Sequence, residues 1–147
     1  MKVLLDTNVI LDVLQSREPW CKDVEKIFYA IANRSVSGYV TSKQIADIHY
    51  LSKRQFAGMK NADKRARGVI LKLTSVLSIL DTLGSDCIDA IVIENNDYED
   101  AILIMSASRS KVDCIITRNK SHFGKLPIPV LSPSEFVKQL LNQPKGV

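Results

Sequence analysis

The sequence predicts an α/β fold, a three-layer α/β/α sandwich around a central, mostly parallel sheet. Two observations carry that reading. Val3-Leu4-Leu5 is a branched apolar run without in–out alternation, as in a strand covered on both faces. Further short apolar runs then alternate with segments of helical periodicity. Strands that alternate with helices are joined by crossovers into a parallel sheet.

The chain has 147 residues, 46% hydrophobic and 24% charged, which suits one domain with a substantial core. That domain is expected over residues 1–142, with 143–147 as a loose tail. No apolar run reaches the roughly 18 residues that span a bilayer, and no signal core opens the chain, so the expectation is cytoplasm and no membrane. A net charge of +4 mildly favours a polyanionic partner.

Taken in order, the first strand is Val3 to Leu5, ending at Asp6. Asn8 to Leu14 reads as a short helix. Pro19 opens a longer helix to about Asn33, with Trp20, Val24, Ile27, Phe28 and Ile31 along one face. Residues 37–41 read as a second strand, and Ser42 can cap a helix from Lys43 to about Arg54. From 52 to 72 the chain is basic: Lys53, Arg54, Lys60, Lys64, Arg65, Arg67 and Lys72 face one acid, Asp63. Val76 to Leu80 is a third strand, ending at Asp81. Gly84 to about Glu94 is a helix, and Asn95-Asn96 breaks it. Asp97 to about Arg109 is the most apolar helix and should run through the middle of the fold. Val112 to Thr117 is a fourth strand, Pro127 to Leu131 a fifth, and Ser132 or Ser134 starts the last helix.

Three widely spaced cysteines, Cys21, Cys87 and Cys114, form no CxxC pair and read as reduced, mostly buried thiols. Two histidines, His49 and His122, cannot build a histidine-rich metal site and read as structural or surface groups. Any metal would be held by oxygen.

The chemistry lies in the acids. Asp6 ends a strand, where open α/β sheets gather ligands. Asp47 is embedded between Ala46 and Ile48. Asp97, Glu99 and Asp100 open the apolar helix, and the fourth strand ends in Thr117-Arg118-Asn119. If the first and fourth strands are neighbours, these groups converge on one end of the sheet. Converging carboxylates without a cation repel, which predicts a divalent ion or raised carboxyl pKa values. Mg2+ suits hard oxygen ligands, and the chemistry it supports is metal-assisted phosphodiester hydrolysis. The basic stretch would hold a nucleic-acid backbone through Lys53, Arg54, Lys64, Arg65 and Arg67.

At these residues the chain resembles the PIN-domain family of metal-dependent ribonucleases, most closely its bacterial branch of VapC-like toxins. Leu4-Leu5-Asp6-Thr7-Asn8-Val9, Asp97-Tyr98-Glu99-Asp100-Ala101 and Ile115-Ile116-Thr117-Arg118-Asn119 match the family's motifs in order and spacing. The resemblance implies a PIN-like fold over essentially the whole chain. It implies an Mg2+- or Mn2+-dependent endoribonuclease, a toxin held by a cognate antitoxin, and a homodimer. Asp6, Asp47 and Asp100 would ligate the metal, and Asp97 would be an additional acid at the site. Thr117 and Asn119 would line it, Asn119 supporting the cation or positioning water, and Asn8 would brace the loop after the first strand. Three positions depart from the family. Asn119 stands where many relatives have aspartate, His122 follows where another acid often occurs, and Asp47 stands where glutamate is more usual.

Each residue also has a plainer role. Asp6 can cap a helix; Asp47 can be a solvated surface acid. Asp97 and Asp100 have the spacing of a capping box, and acids in a first turn are favoured by the helix dipole. Asn119 can be a turn residue, Thr117 a polar strand residue, and the basic run a solvated helix face. The departures at Asn119 and Asp47 support a second hypothesis, a catalytically weakened PIN-like RNA-binding or interaction module. A third, a phospho-accepting domain using Asp81, needs paired acids after the first strand, and Thr7-Asn8 supply none.

Overall fold

Lys2–Leu5 (β1) is the central strand of the sheet in a computed structural model that describes residues 1–124, 126 and 128–143. Ser37–Thr41 (β2) pairs with it on one side and Cys114–Ile116 (β4) on the other. Ser78–Leu80 (β3) and Val130–Leu131 (β5) form the edges, so the order is β3-β2-β1-β4-β5. All four pairings are parallel. Every strand therefore delivers its carboxyl end to the same rim of the sheet.

The apolar run of β1 divides between two cores, as a doubly covered strand requires. Val3 and Leu5 point into one core, together with Val9, Ile27, Ile48 and Phe136. Leu4 points into the other, with Leu103, Ile104, Ile115 and Phe123. Helices Thr7–Leu14 (α1), Cys21–Ala32 (α2), Ser42–Gln55 (α3), Ala62–Thr74 (α4) and Pro133–Asn142 (α7) carry residues of the first core. Gly84–Asp89 (α5) packs beside Tyr98–Arg109 (α6), which carries the second. The layered α/β/α arrangement stands as expected. α6 forms one outer layer rather than the middle, because half-buried Ile102 and Met105 turn away from the sheet while Leu103, Ile104 and Ala107 meet it.

Element ends moved for identifiable reasons. Thr41, not Ser42, caps α3 in a reciprocal capping box with Gln44. Glu18–Pro19 is a cis bond outside α2, which begins two residues later. Val76 and Leu77 were expected in β3, but their N–H groups bond back to Leu73 O at the end of α4, which leaves three residues for the strand. The helix after Gly84 stops at Asp89 and continues as a single 3-10 turn, Ala90–Val92. Pro127 and residues 144–147 of the expected tail lie outside the described residues. The three cysteines are free, with Cys21 and Cys114 buried. Gly38 in β2 is required by contact: a Cβ there would sit 2.5 Å from Ile31 Cδ1 and 2.8 Å from Leu77 Cδ2. Among the described residues no helix is long and apolar enough to cross a membrane.

A buried ion pair ties the loop after β4 to α1. Asp12 is 0% exposed; Arg118 approaches its Oδ2 through Nε at 2.7 Å, and Arg17 lies 3.8 Å from its Oδ1. The Arg118 guanidinium also stacks 4.1 Å from the centre of the Trp20 ring. Removing one member of such a pair strands the other charge. Asp12→Ala is expected to cost about 3–5 kcal/mol in urea denaturation. A cost below about 1 kcal/mol would show that Arg118 finds solvent instead.

Candidate active site

The connections from β1 run to β2 on one side, while β4 lies on the other, so the chain reverses its winding between β1 and β4. Ligands of open α/β sheets bind in the crevice outside the strand ends at that point. Asp6 is the first residue beyond β1 there. Its N–H donates to Ile116 O at 2.9 Å, continuing the ladder with β4. Its extended backbone makes it the cap of α1, with Oδ1 accepting from Thr7 N–H at 2.7 Å. Oδ2 accepts from the Thr117 hydroxyl at 2.7 Å, from the strand alongside. The side chain is nearly sealed, 7% exposed, and has no ion pair among the described residues. Burial pushes its pKa up against the lowering pull of those two hydrogen bonds.

The N-terminus of α6 supplies the facing wall. Asp97 caps it: Oδ1 accepts from the N–H groups of Glu99 (2.9 Å) and Asp100 (3.3 Å). The Asp97 half of the capping box expected from spacing is therefore present, without a return bond from the Asp100 side chain among the described residues, and Asp97 still lies beside Asp100. The Asp100 carboxyl is raised to about 6, first by burial and then by the negative charges of Asp6 and Asp97. His122 Nδ1 stands 3.4 Å from Asp100 Oδ2. Ligand atoms of Asp97, Asp100 and His122 all lie within 4.8 Å of one another.

The third wall is α3. Gln44 Nε2 donates to Leu5 O at 2.8 Å and Thr7 Oγ1 at 3.2 Å, so its amide holds the loop that carries Asp6. Lys43 Nζ lies 2.6 Å from Asp47 Oδ2 and 3.2 Å from Glu99 Oε1, bridging α3 to α6. Asp47 thus lines the same cleft of about 360 Å³ as Asp6 and Asp100, but as half of an ion pair and outside the Asp97–Asp100–His122 group.

Asp6, Asn8, Asp47, Asp97, Asp100 and Asn119 all line one cleft, and Thr117 is bonded to Asp6 at its base. Asn8 makes no side-chain hydrogen bond among the described residues, and the bracing contacts belong to Gln44. Asn119 is held by its N–H, which donates to Thr117 Oγ1 at 3.0 Å. Lys53, Arg54, Lys64, Arg65 and Arg67 are exposed on α3 and α4, outside the cleft lining. Arg54 stacks 5.9 Å from the ring centre of Tyr50, which does line the cleft. Arg67 is paired with Asp63 at 2.7 Å. Sequence alone does not single out Lys43 or Gln44; it counts Glu99 among the acids that open α6 and reads His122 as a structural or surface group. Lys43 and Gln44 were legible as an i,i+4 partner of Asp47 and as the third residue of a capping box. His122 sits on a 3-10 turn, Lys120–His122, that no periodicity announces.

The donor set fits a divalent cation. The charge of Asp6 raises the cost of ionising Asp100, and the basic group beside Asp100 is an imidazole. A bound cation would satisfy both carboxylates.

The family described as PIN domain matches residues 2–121. No curated protein matches the chain in sequence. Among solved structures, FitAcB from Neisseria gonorrhoeae is similar at TM-score 0.65 and 19% identity, over 90% of this chain and 98% of that one. A DNA-bound VapBC from Salmonella typhimurium is similar at TM-score 0.64 and 20% identity, over 90% and 98%. Mycobacterium tuberculosis VapC20, described as a sarcin–ricin loop cleaving toxin, is similar at TM-score 0.61 and 10% identity, over 86% and 98%.

The raised Asp100 carboxyl sets a pH dependence. A carboxyl raised in the folded state contributes stability below its ordinary value of 3.8, and that contribution is lost as pH rises through about 6. A cation competes with that proton. Saturating Mn2+ is therefore expected to raise the melting temperature more at about pH 7.5 than at about pH 5. Asp100→Asn should abolish the difference in differential scanning calorimetry. Equal metal shifts at both pH values would mean that Asp100 does not bind the ion.

Proposed function

The chain belongs to the PIN-domain family, and on that premise we propose that it is a metal-dependent endoribonuclease that hydrolyses RNA phosphodiester bonds. The observation that carries this reading is the pair Asp6, buried, and Asp100, half-buried, which line one cleft with carboxyls both raised above the usual range. Asp6, Asp97 and Asp100 would hold Mg2+ or Mn2+. When bound, the cation would polarise a phosphoryl oxygen and lower the pKa of a water molecule.

The protein groups around it have separate tasks. Thr117 fixes the rotamer of Asp6 through its hydroxyl, and Gln44 fixes the backbone on which Asp6 stands. Asp47 faces the cleft with its charge shared by Lys43, so it serves the outer wall, orienting water or adding ligand strength when Lys43 moves. Asn119 offers a neutral oxygen at the rim. The exposed cations of α3 and α4, of which Arg54 stacks on the cleft residue Tyr50, would carry the RNA backbone.

RNA as substrate also agrees with the described activity of the M. tuberculosis neighbour, and a cognate antitoxin with the paired VapBC assemblies among the neighbours. A protein partner, antitoxin or second copy, has apolar surface to cover: Ile88, Ile91 and Val92 are 68%, 70% and 81% exposed. The weakened RNA-binding module remains the second reading, favoured by Asn119 and by the pairing of Asp47 with Lys43.

Purified protein incubated with a labelled RNA pool is expected to cleave only with Mg2+ or Mn2+, and Asp6→Asn to slow cleavage at least about 100-fold. RNA binding without cleavage in either metal would decide for the second reading. Lys64→Ala is expected to weaken RNA binding on all sequences and to reduce the slope of log affinity against log salt by about 0.7. Arg67→Ala should do less, because Asp63 already takes its charge. An unchanged slope in both variants would remove α4 from the RNA path.

A further inference from the structure

The three side chains that can share one ion include an imidazole, and its placement is built rather than incidental. Thr117 Oγ1 donates to Asp6 and accepts from Asn119 N–H, so one hydroxyl locks the start of the His122 loop to the site. His122 N–H donates to Asn119 O at 3.0 Å and closes the turn. Lys120, two residues earlier, reaches both carboxylate oxygens of Glu135 on α7, at 3.0 and 2.9 Å. Phe123, one residue later, is fully buried in the core under α6. Anchored on both sides, His122 has its ring directed at Asp100.

The 3.4 Å contact between His122 Nδ1 and Asp100 Oδ2 is long for a charge-assisted hydrogen bond, which favours about 2.7–2.9 Å. Ligand atoms bound at about 2.1 Å to one ion lie no more than about 4.2 Å apart. The three atoms, within 4.8 Å of one another, must draw together to share one ion.

Resting on the metal-nuclease reading above, we propose that His122 supplies a nitrogen ligand beside Asp97 and Asp100, and that the site thereby selects first-row transition ions such as Mn2+ over Mg2+. Mg2+ takes oxygen ligands almost exclusively, whereas imidazole adds affinity for transition metals. The imidazole fills a place that oxygen alone does not, since Asn119 brings no charge and Asp47 is held by Lys43.

The test uses the full chain and Mn2+ itself. Pulsed electron paramagnetic resonance of the bound Mn2+ should show coupling to a directly bonded nitrogen. Calorimetric titrations should give a ratio of Mg2+ to Mn2+ dissociation constants that falls at least about tenfold in His122→Asp, which keeps an oxygen ligand. His122 is half-exposed, and the spectrum of the unaltered protein reads the nitrogen without any variant. Mn2+ bound at the site, as shown by its loss in Asp100→Asn, but with no nitrogen coupling and an unchanged ratio would overturn the histidine ligand while leaving the nuclease reading intact. Failure of the unaltered protein to bind Mn2+ at all would overturn both.

Discussion

A single carboxylate, that of Asp6, is held out of water between two neighbouring parallel strands, and the arrangement around it follows from that constraint. Desolvating a carboxylate is costly unless its oxygens are satisfied. Here the α1 backbone takes one oxygen and the Thr117 hydroxyl the other. Thr117 can reach only because β1 and β4 run parallel and in register, Leu5 beside Ile116. The pairing of strands 111 residues apart in sequence is thus what makes Asp6 tolerable.

Buried acids elsewhere in the chain are treated differently, and the contrast locates the site. Asp86 is as buried as Asp6, but Arg109 and Ser106 bind it, and its carboxyl is held below the usual range. Asp12 lies against Arg118. These are structural ion pairs between helices, or between a helix and a loop. Asp6 and Asp100 are moved in the opposite direction, upward, first because burial disfavours their charged forms and, for Asp100, also because Asp6 and Asp97 stand nearby. Acids that stay unneutralised in a cleft mark a place built for something the chain itself does not supply.

The Thr117-Arg118-Asn119 segment shows how stability and chemistry share a few residues. Thr117 orients Asp6, Arg118 anchors the loop into α1 and Trp20, and Asn119 begins the turn that presents His122. From sequence only Thr117 and Asn119 drew attention, as lining residues. Arg118 carries no local sequence mark of its partner, and Asp12 sits mid-helix with no local mark of burial. The plainer readings and the functional ones also proved compatible: Asp6 and Asp97 are both helix caps and both line the cleft.

Local pattern determined the secondary elements, the doubly covered sheet and the list of acids, because hydrophobic period and turn chemistry act over a few residues. Val3-Leu4-Leu5 could be assigned to a buried strand without any knowledge of its neighbours. The tertiary structure alone decided which acids meet. Nothing in the local pattern around Asp47 says that Lys43 will also reach Glu99 on another helix, or that His122 will be carried to Asp100 by a turn anchored on Phe123 and Glu135. Those contacts depend on strand order and on loops closed across more than twenty residues, where the energy of an ion pair or a ligand set belongs to the packed whole and not to any segment.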